Sequence, residues 1–421
     1  MSGKKKLMPK SAMFVRKYEK TLRLGFASFL MVLTLLFIFH SPQEASSVGP
    51  SVRKAPRGGI DISRPMIRNG DPKYKLPTTD RLQGIAEHPK DGKKKEKAVY
   101  ITLARNRDLM SLVQTIRHVE DRFNNRYHYD WVFLNDEDFT EEFVRLTSAL
   151  VSGRAKYGKI AQEHWRVPEF IDKQKLEKQL ELFRSKPKIP YGGSIPYRHM
   201  CRFQSGFFYR HELLDEYDYY WRVDTDITVF CDIQYDIFKF LRENNKKYGF
   251  ILSVTEYQET IPTLWQTVKE FSEKFPQHIN KNNLMKFISD NGGLTYNGCH
   301  FWTNFEVGSL NFWRSEAYTD FFNYLDQSGG FFYERWGDAP VHSIAASLLL
   351  DQSEIHFFDG LGFHHPNFLS CPYEEEIRLQ NQCICNPKED HTWWTYYFCT
   401  RKYFNAKDIP LPKEIPDYTP H

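Results

Sequence analysis

The distribution of apolar positions divides the chain into two unequal parts. Leu24 to Phe39 carries no charged residue and is dominated by Leu, Phe, Val, Ile and Met, while the segment from Ser41 to about Gly92 has no sustained apolar period. From about Lys93 onward the pattern changes to short apolar runs that end in polar clusters. Ala98 to Leu103 is β-branched and apolar, and it gives way to Arg105-Asn106-Arg107-Asp108. Leu109, Leu112, Val113, Ile116, Val119 and Phe123 then recur at helical spacing, so the period switches from strand to helix. Trp131 to Leu134 ends at Asn135-Asp136-Glu137-Asp138, and Tyr219 to Val223 ends at Asp224-Thr225-Asp226. Helices are predicted over Lys173–Lys186, Tyr197–Leu214 and Val341–Leu350, and further strands over Tyr248–Val254 and Ile355–Phe358.

This alternation predicts an α/β domain over 93–421, built on one largely parallel sheet flanked by helices. Ligands of such sheets bind outside the carboxyl ends of the strands. The clusters at 105–108, 135–138 and 224–226 all fall at such ends.

Charge gives the N-terminal part its meaning. Lys4, Lys5, Lys6, Lys10, Arg16, Lys17, Lys20 and Arg23 precede the apolar run against the single acid Glu19. The positive-inside rule then sets residues 1–23 in the cytosol, 24–40 as a signal-anchor helix and the rest in the lumen. With its flanks the run approaches the ~20 residues that cross a bilayer. A cleaved signal peptide is the alternative, since Glu44-Ala45-Ser46-Ser47 offers small residues downstream. A short, Phe-rich span suits the thinner membranes of the early secretory route, which points to the Golgi. Residues 41–92, rich in Pro, Gly, Ser and Lys, read as a stem.

The net charge of +4 over 421 residues sits largely in these N-terminal runs. No basic groove and no zinc-finger spacing follow, so nucleic acid is excluded as a partner class. The seven cysteines all lie from Cys201 onward, within the predicted lumenal domain, and fit an oxidising compartment with a few disulfides; the odd number leaves at least one thiol free. Cys383-Ile384-Cys385 is too sparse a pattern for a metal hook without a partner CxxC.

The candidate chemistry lies at the strand ends. Asp224-Thr225-Asp226 sets two carboxylates on one turn, where they can hold a hard divalent cation that neutralises a diphosphate. Arg222 beside them could meet a phosphate. Glu306 follows the aromatic run Cys299–Phe305 and suits a nucleophile or base in an apolar wall; the structural alternative is a core glutamate paired with Arg314. Asp338 either caps the helix after it or binds a hydroxyl of substrate or nucleotide. His365, after Ile355–Phe358, could complete a metal shell with the distant carboxylates. Tyr191, Tyr197, Trp265, Trp302 and Trp336 could stack on sugars or fill the core.

Longer stretches carry a resemblance. Trp131-Val132-Phe133-Leu134-Asn135-Asp136, Tyr197-Arg198-His199-Met200-Cys201-Arg202-Phe203, Tyr220-Trp221-Arg222-Val223, Asn304-Phe305-Glu306, Arg314-Ser315-Glu316-Ala317-Tyr318, the run from Tyr333 to Ser343, and His365-Pro366 resemble the fungal Golgi alpha-1,2-mannosyltransferases of glycosyltransferase family 15. The match covers essentially the whole predicted lumenal domain. The resemblance implies a GT-A fold, GDP-mannose as donor, Mn²⁺ as cofactor, retention of configuration, and mannosylated O-linked or N-linked glycans of cell-wall glycoproteins as acceptors. It implies that Asp224 and His365 bind the metal, that Glu306 is the nucleophile, and that Tyr197 is an active-site tyrosine. Arg105, Arg222 and Asp338 become donor contacts, with Asp226 a supporting acid. Where the family commonly reads Glu-Pro-Asp, this chain reads Asp224-Thr225-Asp226, one methylene shorter and without the φ-restricting proline. The same scaffold could transfer mannosylphosphate, or survive as a non-catalytic glycan-binding partner. A two-carboxylate glycosidase has no use for the stem.

Overall fold

The computed structural model describes residues 95–412 and Ile415. The predicted cytoplasmic tail, signal-anchor helix and stem all lie outside the described residues; among those described, no helix is long and apolar enough to cross a membrane.

Twelve strands and seven helices of ten residues or more carry the architecture. The strands are β1 (Ala98–Leu103), β2 (Asp130–Asn135), β3 (Ala155–Lys159), β4 (Tyr219–Val223), β5 (Thr228–Val229), β6 (Tyr248–Phe250), β7 (Ser253–Thr255), β8 (Cys299–Phe301), β9 (Phe305–Ser309), β10 (Ile355–Phe357), β11 (Phe363–His365) and β12 (Phe368–Ser370). The helices are α1 (Leu109–Arg122), α2 (Glu141–Leu150), α3 (Lys173–Arg184), α4 (Ile195–Gly206), α5 (Leu264–Lys274), α6 (Glu316–Ser328) and α7 (Asp338–Leu349).

Seven strands form the main sheet in the order β10-β6-β9-β4-β1-β2-β3. Both faces of β1 are buried, and its side chains alternate between two cores. Val99 and Ile101 join Val132, Leu134 and Tyr220 on one face. Ala98 and Tyr100 join Trp131, Phe133 and Trp221 on the other, where Leu112, Ile116 and Val119 of α1 cover them. Such two-sided burial is why these strands read as continuous apolar runs.

The sheet is largely parallel, as expected, but mixed, because β9 runs against its neighbours. β1 runs parallel to β2 and β4, β2 to β3, and β6 to β10, but β9 is antiparallel to both β4 and β6. The cause is the short turn Trp302-Thr303-Asn304. β8 pairs with β7 in a separate two-stranded sheet, and the chain leaves β8 at the carboxyl edge of the main sheet, so β9 must enter from that edge. The predicted strand Tyr248–Val254 is likewise two strands, β6 in the main sheet and β7 outside it. The predicted helix Tyr197–Leu214 starts earlier and ends at Gly206, followed by single 3-10 turns.

Helix α7 is apolar all round and buried along its length, so it is a central helix rather than a surface one. It carries Asp338 and His342 four residues apart, hence on one face. Three disulfides, Cys231–Cys383, Cys299–Cys399 and Cys371–Cys385, tie the C-terminal segment to the domain, and Cys201 is a buried free thiol. Cys383 and Cys385 thus belong to two different bridges.

Candidate active site

The ends of β1, β2 and β4 place Arg105–Asp108, Asn135–Asp138 and Asp224–Asp226 along one edge of the sheet. Because β9 is antiparallel, its first residues lie at that same edge, and the register sets Glu306 opposite Arg222. Residues opposite each other share a face. Tyr220, two before Arg222 on β4, and Tyr248 on β6 lie on this face as well.

Two buried ion pairs descend from α7 onto that strand pair. Arg222 donates Nη1 to Asp338 Oδ2, and its Nε and Nη2 fork onto Asp224 at 3.0 and 3.4 Å. The Thr303 hydroxyl donates to Asp338 at 2.8 Å. Burial raises the Asp338 pKa, but the Arg222 guanidinium more than offsets this and holds the carboxyl below its ordinary range. One turn further along α7, His342 Nδ1 lies 2.8 Å from Glu306 Oε2. Tyr220 donates to Glu306 Oε1 at 2.5 Å and Tyr248 to Oε2 at 2.9 Å. Glu306 is 1% exposed. It is a core carboxylate, and its basic partner is His342; Arg314 instead donates to the carbonyls of Tyr209, Leu214 and Tyr217.

The rim of the site is built by a second sheet. β5 follows the Asp224-Thr225-Asp226 turn and pairs antiparallel with β11, Thr228 facing His364. One step along that register, His365 arrives beside the turn, which is how residues far apart in sequence meet. His365 Nε2 lies 3.2 Å from Asp226 Oδ1. The hydrogen bond from His365 keeps the Asp226 carboxyl below its usual range against the opposing effect of burial. The resemblance paired His365 with Asp224; in the structure the acid that faces it is Asp226, because Arg222 clasps Asp224.

This turn fits a divalent cation. Two donors about 3 Å apart are neighbours around an octahedral ion with bonds near 2.1 Å, and the Asp226–His365 separation of 3.2 Å is close to that. His365 Nδ1 is buried without a hydrogen-bond partner. Carboxylate oxygens with an imidazole nitrogen are the donor set Mn²⁺ accepts. Among the described residues no group of three or more His, Cys, Asp or Glu side chains is preassembled.

The remaining predicted residues fall into two groups. Arg105 stands exposed at the rim, forked onto Asp108 at 2.8 and 3.2 Å. Tyr197, half-buried in the first turn of α4, stacks on Tyr191 at 4.8 Å with the Arg335 guanidinium 5.3 Å from its ring. Arg222 and Asp338, read as donor contacts, are turned inward onto each other. Arg222 has its nitrogens on carboxylates, so phosphate binding would have to compete with Asp224 and Asp338.

Several residues of this arrangement escaped sequence reasoning. Ser111 and Thr115, one turn apart on α1, donate to the Thr225 carbonyl at 2.8 and 3.1 Å, and Thr115 also reaches the Ile227 carbonyl at 3.0 Å. They hold the acidic turn from beneath. The pairs Tyr220/Arg222 and Asp338/His342 carried a signal in their spacing, two along a strand and four along a helix. Thr303 and Tyr248 carried none.

The description "glycolipid 2-alpha-mannosyltransferase" belongs to the family model that matches residues 66–408. The chain is 63% identical over 412 residues to the probable mannosyltransferase KTR3 of Saccharomyces cerevisiae, covering 98% of this chain and 99% of that one. It is 51% identical over 381 residues to the alpha-1,2 mannosyltransferase KTR1 of the same yeast, covering 90% and 92%. Among solved structures, core-mannan synthase A (CmsA/Ktr4) of Aspergillus fumigatus in its Mn/GDP form is similar with a TM-score of 0.70 at 35% identity, over 77% of this chain and 88% of that one. The mixed sheet with its acidic turn at the strand ends is thus a GT-A-like glycosyltransferase fold, and the chain belongs to the glycolipid 2-alpha-mannosyltransferase family, the glycosyltransferase family 15 of fungi.

Proposed function

We propose that the chain is a retaining alpha-1,2-mannosyltransferase that moves mannose from GDP-mannose to mannose residues of O-linked or N-linked glycans, or both, on secretory and cell-wall glycoproteins. The observation that carries this reading is the Asp226–His365 contact beside Asp224 at the carboxyl edge of the sheet. The similar alpha-1,2 mannosyltransferase and the similar structure in its Mn/GDP form support the linkage, the donor and the metal. Asp226 and His365, with Asp224 beside them, would hold Mn²⁺, which when bound neutralises the diphosphate and stabilises the charge that develops as GDP leaves. Ser111 and Thr115 fix the turn that presents these acids. Arg105, exposed at the rim, would meet a phosphate by exchanging its fork on Asp108, and Tyr197 would meet a sugar only by giving up its stacking on Tyr191.

Glu306 bears on the mechanism. Its burial, with Tyr220, Tyr248 and His342 on its oxygens, supports a fixed negative charge behind the reacting carbon over direct attack on that carbon. The acceptor hydroxyl would then enter on the face that GDP leaves. We place the enzyme in the Golgi as a single-pass type II membrane protein, a reading supported by the basic residues before the apolar run Leu24–Phe39.

The test is the product formed from GDP-mannose and mannobiose with Mn²⁺. A neutral trisaccharide whose new bond is cut by an alpha-1,2-specific mannosidase is expected, and His365→Ala should form little of it. A product carrying the negative charge of a phosphodiester would replace this reading with mannosylphosphate transfer.

A further inference from the structure

One member of the buried network, His342, has been placed on Glu306 above, but its own protonation and task have not. His342 is fully buried, and its surroundings fix its protons. Nε2 lies 3.0 Å from the main-chain carbonyl of Gln204, a group that can only accept, so Nε2 carries a hydrogen. Nδ1 lies 2.8 Å from Glu306 Oε2, so one further proton sits between the two side chains. The pair holds two protons in all, either as imidazolium and carboxylate or as imidazole and carboxylic acid.

The neighbours decide between these forms. The titratable and charged groups around the pair are Tyr220 and Arg222 from β4, Tyr248 from β6, Tyr318 from α6, and Asp338 one turn earlier on α7. Tyr220 accepts from Trp313 Nε1 at 2.9 Å, so its own hydrogen points to Glu306. Burial, reinforced by the Glu306 charge, holds the Tyr220 and Tyr248 phenols far above their ordinary range, so both remain donors. Two donors and the Arg222 guanidinium favour a carboxylate at Glu306. Asp338 and the Trp313 ring, whose centroid lies 4.3 Å from that of His342, favour an imidazolium.

We propose that His342 is a positioning residue of the transfer reaction: anchored on the Gln204 carbonyl, it holds Glu306 as an anion in fixed orientation opposite Arg222, behind the acidic turn. The inference rests on the transferase reading. His342 touches no substrate; it acts through Glu306.

The experiment uses the full chain in detergent with GDP-mannose, Mn²⁺ and mannobiose, comparing the unaltered protein with His342→Asn and His342→Gln. The asparagine amide can take the place of Nδ1 and still donate to Glu306, but it brings no charge. The glutamine amide reaches the place of Nε2 and leaves Glu306 without that donor. The expected result is a fall in kcat of about ten- to a hundredfold for His342→Gln and a smaller fall for His342→Asn, with donor KM within about threefold. In both variants the acid limb of the kcat profile moves to higher pH, since the cation that faces Glu306 across the 2.8 Å contact is gone.

Folded variants with unaltered kcat and an unmoved profile would overturn the proposal. So would a loss of activity that merely follows the folded fraction. If neither variant folds, ¹⁵N-histidine labelling of the unaltered protein decides the matter: both His342 ring nitrogens protonated at neutral pH is expected, and a bare Nδ1 refutes the ion pair. Inactivity of the unaltered protein with every sugar nucleotide would sink the transferase reading and this inference together. Full activity of both variants would sink the inference alone.

Discussion

At the scale of single residues, the site is organised by which carboxylates are paired with cations and which are left for other work. Arg222 is shared by Asp224 and Asp338, Glu306 faces His342, and only Asp226 turns to the rim. Breaking a buried pair by removing one partner typically costs about 3–5 kcal/mol, because the other charge is left without compensation. That is the physical reason for Asp338 and His342, on a helix buried along its length, each to face a partner on the strands. Asp390 shows the opposite situation. Its Oδ1 accepts from the Cys371 amide at 2.9 Å and the Thr392 hydroxyl at 2.7 Å with no cation beside it, and burial raises its pKa to about 6. A folded-state value above the unfolded one means that ionisation destabilises the fold. The loss is absent below the ordinary carboxylate range, grows up to about pH 6 and is complete above it. Asp390→Asn keeps the Oδ1 acceptor and removes the charge. It is therefore expected to raise the unfolding midpoint at pH 7.5, by the equivalent of about 2–3 kcal/mol, and to leave it unchanged near pH 4. Equal effects at both pH values would refute this account.

At the scale of elements, the small sheet β12-β11-β5 links the two halves of the rim, and its covalent support is the Cys231–Cys383 bridge just after β5. Gly362, immediately before β11, has φ of +56°, and a Cβ there would lie 2.5 Å from Cys231 Sγ, so this corner accepts only glycine. The bridge closes a loop with a sequence separation of 152. Replacing both cysteines by serine should lower stability by roughly 2–5 kcal/mol, read as a fall in the unfolding midpoint, and unaltered stability would contradict the assignment.

The same elements show what a sequence can and cannot disclose. β1, β2 and β4 were legible because central strands buried on two faces are apolar along their whole length. β3 was missed because an edge strand, Ala155-Lys156-Tyr157-Gly158-Lys159, is half exposed and polar. β5 and β11 were missed because two- and three-residue strands have too short a run to show a period. The direction of β9 depends on where β8 is pinned, a tertiary fact. Asp224, Asp226 and His365 could be named from strand ends and from family resemblance, but the choice of Asp226 over Asp224 as the partner of His365 is set by Arg222 and by the β5–β11 register. His342 stood in a motif already noticed, and only the packing of α7 on β9 gave it a partner.

At the scale of the whole molecule, the fold brings an acidic turn and an imidazole to one edge of a mixed sheet and buries a Glu–His pair behind them. A membrane anchor and stem at the N-terminus would hold this head in the lumen, where oxidising conditions suit its three disulfides. The central claim is that this edge transfers mannose from its nucleotide with the help of a divalent cation. The most direct measurement is release of the nucleoside diphosphate by the full chain in detergent, over a panel of sugar nucleotides, with mannobiose as acceptor and with or without Mn²⁺. The account predicts release from GDP-mannose alone, dependent on both Mn²⁺ and mannobiose and largely lost in Asp226→Asn. Equal release from another sugar nucleotide, or full activity after chelation of the metal, would contradict it.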